Sequence, residues 1–119
     1  MSTQNVANQL VNLCRQGENL KAIDELYDDN IVSKEMPGYP DEKTTGKMNV
    51  YQKNKQWLDN VTEFHGGDIS DPVVAGNHFT VKMSFDVTFK DRGRQQMEEL
   101  AVYEVNNGKI VKEQYFYTM

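Results

Sequence analysis

The chain has few of the residues that carry disulfides, metal sites or nucleic-acid contacts. Its 119 residues include one cysteine, Cys14, and two histidines, His65 and His78. One cysteine excludes an intrachain disulfide, and the two histidines do not stand at zinc-ligand spacing. Acidic residues outnumber basic ones by 18 to 13, and we find no basic stripe of the kind that marks nucleic-acid binders. We therefore expect neither a metal nor a nucleic-acid partner.

The sequence also lacks the common signals for membranes and nucleotide cofactors. No stretch approaches the roughly 20 apolar residues that a transmembrane helix needs, and the first residues do not form a signal peptide. There is no nucleotide-binding glycine pattern and no Gly-x-Ser-x-Gly elbow. The length is that of one domain, which we place at residues 1–119. We expect a cytoplasmic protein that works without a cofactor and without a membrane.

Alternating apolar and polar residues dominate the C-terminal half. Every odd residue from Phe79 to Phe89 is apolar, which predicts a strand with one buried face. Further alternating segments run from Met97 to Val105 and from Val111 to Tyr117. A strand is also expected at 68–75, with Pro72 better tolerated at an edge or bulge. These segments predict four antiparallel strands joined by tight turns.

The N-terminal half has the periodicity of helices. Val6, Leu10 and Leu13 form one helical stripe, a second short helix follows, and a third is expected from a Thr45 cap to about Asn60. A short strand is expected at 30–36 and a loop at 37–43. Helices early and strands late predict an α+β domain, with the helices packed on one face of a curved, mainly antiparallel sheet. The lysines at 47, 53 and 55 are interpreted as a solvated helix face.

Two glutamates stand in rows that should face inward. Glu99 shares a row with Met97 and Ala101, and Glu113 alternates with Tyr115 and Tyr117. Acids that share a face with aromatic residues indicate a lined cavity more than a dry core. Burial raises the pKa of a carboxyl group, and a pKa of roughly 6 to 7 suits proton abstraction next to a carbonyl.

Each of these candidates has an alternative interpretation. Glu99 turns to solvent if the strand bulges, or pairs with Arg92 or Arg94. If Ile110 and Phe116 face inward, then Glu113 faces outward. His65 could act as an acid or base near neutral pH, or it could serve as a structural hydrogen-bonding residue.

The element order resembles that of the nuclear-transport-factor-2-like superfamily, and several stretches are similar to its SnoaL-like branch. They are Leu26–Ser33 at the first strand, Thr45–Gly46 at the third helix, Phe64–Gly67, Ala101–Val105 and Gly108–Tyr117. The resemblance covers nearly the whole chain and implies a conical α+β roll. It further implies a deep pocket between sheet and helices, and a homodimer through the outer face of the sheet.

Members of this superfamily include polyketide cyclases, ketosteroid isomerases, dehydratases and binding proteins. In the isomerases a general base lies on the first strand, and alignment places it at Lys34 or Glu35. A protonated acid of their pocket aligns with Ala101, one inward step from Glu99. Because one fold hosts many activities, function has to be argued from the site.

The sequence therefore predicts an apolar small molecule as the partner of a pocket protein. The first hypothesis is cofactor-independent acid–base catalysis, an isomerase, cyclase or dehydratase step, with Glu99, Glu113, Glu35 and His65 as the candidates for moving protons. The alternatives are a non-catalytic ligand-binding protein with the same pocket and a dimeric interaction module. The predicted pocket lining combines inward-facing strand residues with residues of the helices: Tyr27, Lys34, Tyr51, Trp57, Met83, Phe85, Met97, Tyr103, Tyr115 and Tyr117.

Overall fold

The computed structural model describes residues 2–39 and 42–118. Within them, three helices pack against one face of a curved, mostly antiparallel sheet, which confirms the predicted α+β roll. The helices are α1 (Thr3–Arg15), α2 (Asn19–Leu26) and α3 (Lys47–Asp59).

The sheet contains seven strands in the described part of the chain. They are β1 (Tyr27–Lys34), β2 (Lys43–Thr45), β3 (Val61–Ile69), β4 (Val73–Ala75), β5 (His78–Phe89), β6 (Gly93–Asn106) and β7 (Lys109–Phe116). Their order is β2-β1-β7-β6-β5-β3, with β4 also paired to β5. The pair of β1 with β7 is parallel, so the first and last long strands lie side by side and share a face.

The first and third helices begin at different kinds of N-cap residue. Ser2 caps α1, because its Oγ accepts a hydrogen bond from the Asn5 backbone N–H at 3.1 Å. Thr45 does not cap α3. Gly46 holds the N-cap position with a φ of 97°, a conformation that a residue with a Cβ rarely adopts.

The strand boundaries also depart from the sequence pattern. β1 begins at Tyr27, directly after α2, rather than near Asn30. A short strand, β2, lies partly in the segment predicted as a loop, of which residues 40 and 41 fall outside the described part. The expected strand at 68–75 is split between β3 and β4, and Pro72 lies in the break, where its missing N–H leaves no ladder bond unmade.

The core lies between the helices and the inner face of the sheet. The odd residues of β5 and β6 contribute to it as the alternation predicts, with Phe79 and Tyr103 stacked at a ring-centroid distance of 4.7 Å. From α3 only Val50 is fully buried, whereas Met48 is 73% exposed. The part of α3 that carries Met48 therefore lies over solvent and not over the sheet.

Candidate functional site

Strand register places three chemically active residues in one row across the inner face of the sheet. Ser33 of β1 lies opposite Glu113 of β7, and Tyr103 of β6 lies opposite Glu113 on the other side. All three side chains are essentially inaccessible to solvent. Because opposed residues point to the same side of a sheet, the row presents a hydroxyl, a carboxyl and a phenol to the space between the sheet and the helices.

Glu113 is fully buried, and its carboxyl group is hydrogen-bonded at both oxygens. Ser33 Oγ donates to Oε1 at 2.8 Å, and the Tyr27 hydroxyl donates to Oε2. Burial raises the pKa of Glu113, while these two hydrogen bonds and the nearby Lys53 ammonium partly counter the rise. Glu113 therefore occupies a site that meets the hydrogen-bonding needs of a buried carboxylate.

A lysine extends this group toward the rim of the sheet. Lys53 Nζ donates to Ser33 Oγ at 3.3 Å and to Glu35 Oε1 at 3.2 Å. The Tyr117 hydroxyl donates to the other oxygen of Glu35 at 2.8 Å. The Lys53 and Glu35 side chains are 24% and 21% exposed, so the ion pair is largely shielded. It joins α3, the end of β1 and the end of β7.

Glu99 lies on the inner face of β6, opposite Met83 of β5. Its pKa is raised from 4.5 to about 7, chiefly by burial and further by the negative charges of Glu35 and Glu113. Lys53 has the opposite, smaller effect. Within residues 2–39 and 42–118, no side chain hydrogen-bonds or ion-pairs with the Glu99 carboxyl group. It is thus a half-buried carboxyl group that can take or give a proton near neutral pH.

Two groups of aromatic side chains pack on or against the same face of the sheet. The Trp57 ring lies 5.6 Å from the Phe85 ring and 5.5 Å from the Phe89 ring, measured between centroids. The Tyr39 and Tyr117 rings meet edge to face at 5.3 Å. These rings give the surroundings of the carboxyl groups apolar walls.

The predicted site residues divide between the two faces of the sheet. Glu99, Glu113 and Glu35 come together on the inner face. His65 does not join them, because its Nε2 lies 2.7 Å from the hydroxyl of Thr88, a residue of the outer face. His65 therefore lies apart from the carboxyl cluster, and a catalytic role for it stays a prediction.

Two predicted pocket residues also lie away from this cluster. Lys34 follows Ser33 in β1, and successive residues of a strand point to opposite faces, so it lies on the outer face and not in the predicted lining. Tyr51 lines a surface depression between α2 and α3. Of the remaining predicted residues, the following lie on or against the inner face: Tyr27, Trp57, Met83, Phe85, Met97, Tyr103, Tyr115 and Tyr117.

The described residues form surface depressions, of which two are the best defined. One of about 450 Å³ is bordered by the β3, β5 and β6 strands near Gly67 and Met97, and one of about 560 Å³ lies between α2 and α3. Neither is lined by Glu99, Glu113 or Glu35. The deep pocket that the family resemblance implies thus stays a prediction.

The described residues also bear on metals and membranes. Among residues 2–39 and 42–118, no three His, Cys, Asp or Glu side chains are grouped so as to hold a metal ion. No helix in that part of the chain is both long and apolar enough to cross a membrane.

Sequence reasoning missed two members of the cluster. Ser33 stands between Val32 and Lys34 without a distinguishing pattern, and its role depends on lying opposite Glu113. Lys53 looked like one of three solvated lysines. Its position three residues after the buried Val50 was the available signal, since residues three apart share a helix face.

Comparison with known proteins agrees with the fold. A family model described as a SnoaL-like domain matches residues 1–117. A crystal structure from Mesorhizobium loti, provisionally named a SnoaL-like polyketide cyclase with carbohydrate phosphatase in brackets, is 36% identical over 98% of this chain and 100% of its own, with a TM-score of 0.93. The chain belongs to the SnoaL-like domain family, which confirms the resemblance seen in the sequence.

More distant solved structures share the fold alone. An LEH-like epoxide hydrolase of M. tuberculosis is 16% identical, with 98% of this chain and 82% of that one covered and a TM-score of 0.73. A protein from Catenulispora acidiphila with a ketosteroid isomerase-like fold, in complex with trimethylamine, is 14% identical, with coverages of 96% and 85% and a TM-score of 0.75. The comparison with curated proteins finds no match.

Proposed function

We propose that the protein is a cofactor-independent acid–base catalyst of an isomerase, cyclase or dehydratase step, and that Glu99 carries the proton. The supporting observation is the Glu99 carboxyl group itself. It lies on the inner face of the sheet, has a pKa of about 7 and has no hydrogen-bond partner among the described residues. Glu113 and Glu35, by contrast, are both tied to donors.

A carboxyl group of this pKa suits proton abstraction next to a carbonyl. At neutral pH it is partly ionised, and as a base it is much stronger than an ordinary glutamate. The provisional name of the M. loti relative, a polyketide cyclase, agrees with chemistry of this kind.

The charges around Glu99 favour a neutral, mostly apolar substrate. Three carboxyl groups, those of Glu35, Glu99 and Glu113, share this part of the fold. The ammonium group of Lys53 is already paired with Glu35. A phosphate or carboxylate ligand would add negative charge to this region, whereas the nearby ring of Trp57 offers an apolar contact.

Hydrogen–deuterium exchange tests the proposal without knowledge of the natural substrate. A panel of apolar ketones is incubated with the protein in D₂O, and exchange at the carbon next to the carbonyl is followed by proton NMR. We expect exchange that rises with pH through about 7 and falls at least about 100-fold in Glu99→Gln.

Glu98→Gln is the matched control, because Glu98 is the adjacent glutamate, 68% exposed and paired with Lys82 on the outer face. This variant should exchange at the rate of the unmodified protein. Equal rates in Glu99→Gln and the unmodified protein would contradict the proposal. If the protein bound a ketone without catalysing exchange, that result would support a ligand-binding role for the protein instead.

We also propose that two copies of the chain associate through the outer face of the sheet. Leu100 and Phe116 lie opposite each other across β6 and β7, and their side chains are 48% and 43% exposed. Burial of such a pair against its symmetry mate would remove apolar surface from water.

A further inference from the structure

Lys53 occupies a position between the buried and the rim-side carboxyl groups. Its Nζ lies within hydrogen-bond distance of Ser33 Oγ, at 3.3 Å, and of Glu35 Oε1, at 3.2 Å. Ser33 in turn contacts Glu113, and Glu35 contacts Tyr117. One ammonium group therefore touches both halves of the cluster.

The donors and acceptors of this cluster fit a single arrangement. The Ser33 hydroxyl has one proton, which it donates to Glu113, and Lys53 supplies the proton that Ser33 Oγ accepts. Lys53 also donates to Glu35, whose other oxygen accepts from Tyr117. An ammonium group has three donors and no acceptor, so Lys53 can donate to Ser33 and to Glu35 at the same time. A neutral side chain at position 53 would not supply the positive charge that lies between these two contacts.

We propose that Lys53 is the positioning residue of this site, holding Ser33 and Glu35 in place and thereby fixing the charge that the Glu99 carboxyl group meets. The inference rests on the proposed role of Glu99 as the proton carrier. Lys53 acts through its neighbours and is not assigned contact with substrate. The effect on Glu99 runs in a known direction, because the Lys53 cation lowers the pKa of Glu99 while Glu35 and Glu113 raise it.

Carbon-13 NMR of the glutamate carboxyl groups tests this inference on the free protein. The Glu99 resonance is assigned by its loss in Glu99→Gln and titrated in the unmodified protein and in Lys53→Met, Lys53→Arg and Lys55→Met. We expect Lys53→Met to raise the midpoint of Glu99 by about half a pH unit or more, since a nearby opposite charge is lost. Lys53→Arg keeps the cation and should restore the midpoint.

Lys55→Met is the matched control on the same helix, because Lys55 is exposed and pairs with Asp59. Its Glu99 midpoint should equal that of the unmodified protein. An unchanged midpoint in a folded Lys53→Met variant would overturn the inference, as would an equal rise in Lys55→Met. A purely structural ion pair would change only the unfolding free energy.

A second measurement keeps the inference testable if Lys53→Met does not fold. In the unmodified protein, the Lys53 ¹⁵Nζ resonance should show an inflection at the pH where Glu99 titrates, and the Lys55 resonance should not, because coupling between two groups is reciprocal. No inflection at Lys53 would overturn the inference. Both NMR experiments use no substrate, so their failure is distinct from a failure of the ketone-exchange test.

Discussion

Ser33 and Glu113 lie opposite each other in the parallel pair of β1 and β7, and the Ser33 hydroxyl donates to Glu113 Oε1 at 2.8 Å. The two residues are 80 positions apart in the chain, so this hydrogen bond connects the first strand of the fold to the last. The Tyr27 hydroxyl donates to the second oxygen of Glu113. The buried carboxyl group of Glu113 therefore links β7 to both ends of β1 and to the C-terminus of α2.

Replacement of Glu113 should show how much of the stability depends on this attachment. Glu113→Leu leaves the hydroxyls of Tyr27 and Ser33 buried without an acceptor, and we expect the free energy of unfolding to fall by about 2–4 kcal/mol. Glu113→Gln keeps an oxygen and the shape of the side chain, so its loss should be clearly smaller. Urea denaturation measures both, and equal losses in the two variants would contradict this explanation.

The raised pKa of Glu99 predicts how stability depends on pH. Between its unfolded pKa of 4.5 and its folded pKa of about 7, the folded chain holds a proton that the unfolded chain has released. Stability is therefore greatest below the lower value and falls as the pH rises toward 7, by at most about 3 kcal/mol from this group.

Urea denaturation at pH 5 and pH 8 measures the decline. Glu99→Gln cannot titrate at this position and should show a smaller decline than the unmodified protein, although the raised pKa of Glu113 leaves part of it in place. The Glu98→Gln control should match the unmodified protein. An increase in the free energy of unfolding from pH 5 to pH 8 would contradict a raised pKa of Glu99 in the folded protein.

Cys14 should be a slow nucleophile in the folded protein. The pKa of its thiol is raised from 9.0 to about 12, chiefly by burial and further by the negative charge of Glu113. At pH 8 the thiolate fraction would be lower by about a thousandfold than that of an ordinary cysteine. Labelling with a disulfide reagent at pH 8 should thus be at least about a hundredfold slower in the native protein than in urea, and comparable rates would refute this.

Association through the outer face predicts a mass change on substitution of Leu100. We expect sedimentation of the unmodified protein as a dimer and of Leu100→Lys as a folded monomer, because a buried, unpaired ammonium group would be costly. Met48→Lys is the control, since Met48 is 73% exposed and lies on α3, away from that face. A monomeric unmodified protein would rule out the proposed dimer.

The last strand shows where sequence patterns stop being sufficient. Counting by twos places Val111, Glu113 and Tyr115 on one face, whereas the opposite choice buries Ile110. In the structure both Ile110 and Glu113 are fully buried, because the pairing of β6 with β7 shifts register between Glu104 and Val105. Such an irregularity moves side chains between faces. The residues of the turn do not indicate from their sequence that the register shifts here.

The sequence by itself determined the three helices and the long strands of the C-terminal half, but not β2 or the break between β3 and β4. It also determined the inward side of β5 and β6, including Glu99, because alternation is a local property of an extended chain. Only the tertiary structure decided that Lys53 meets Ser33 and Glu35, that Tyr27 reaches Glu113, and that His65 lies on the other face. Those contacts join positions 18 to 86 residues apart. Strand register and helix placement, set by packing across the whole domain, bring such positions together.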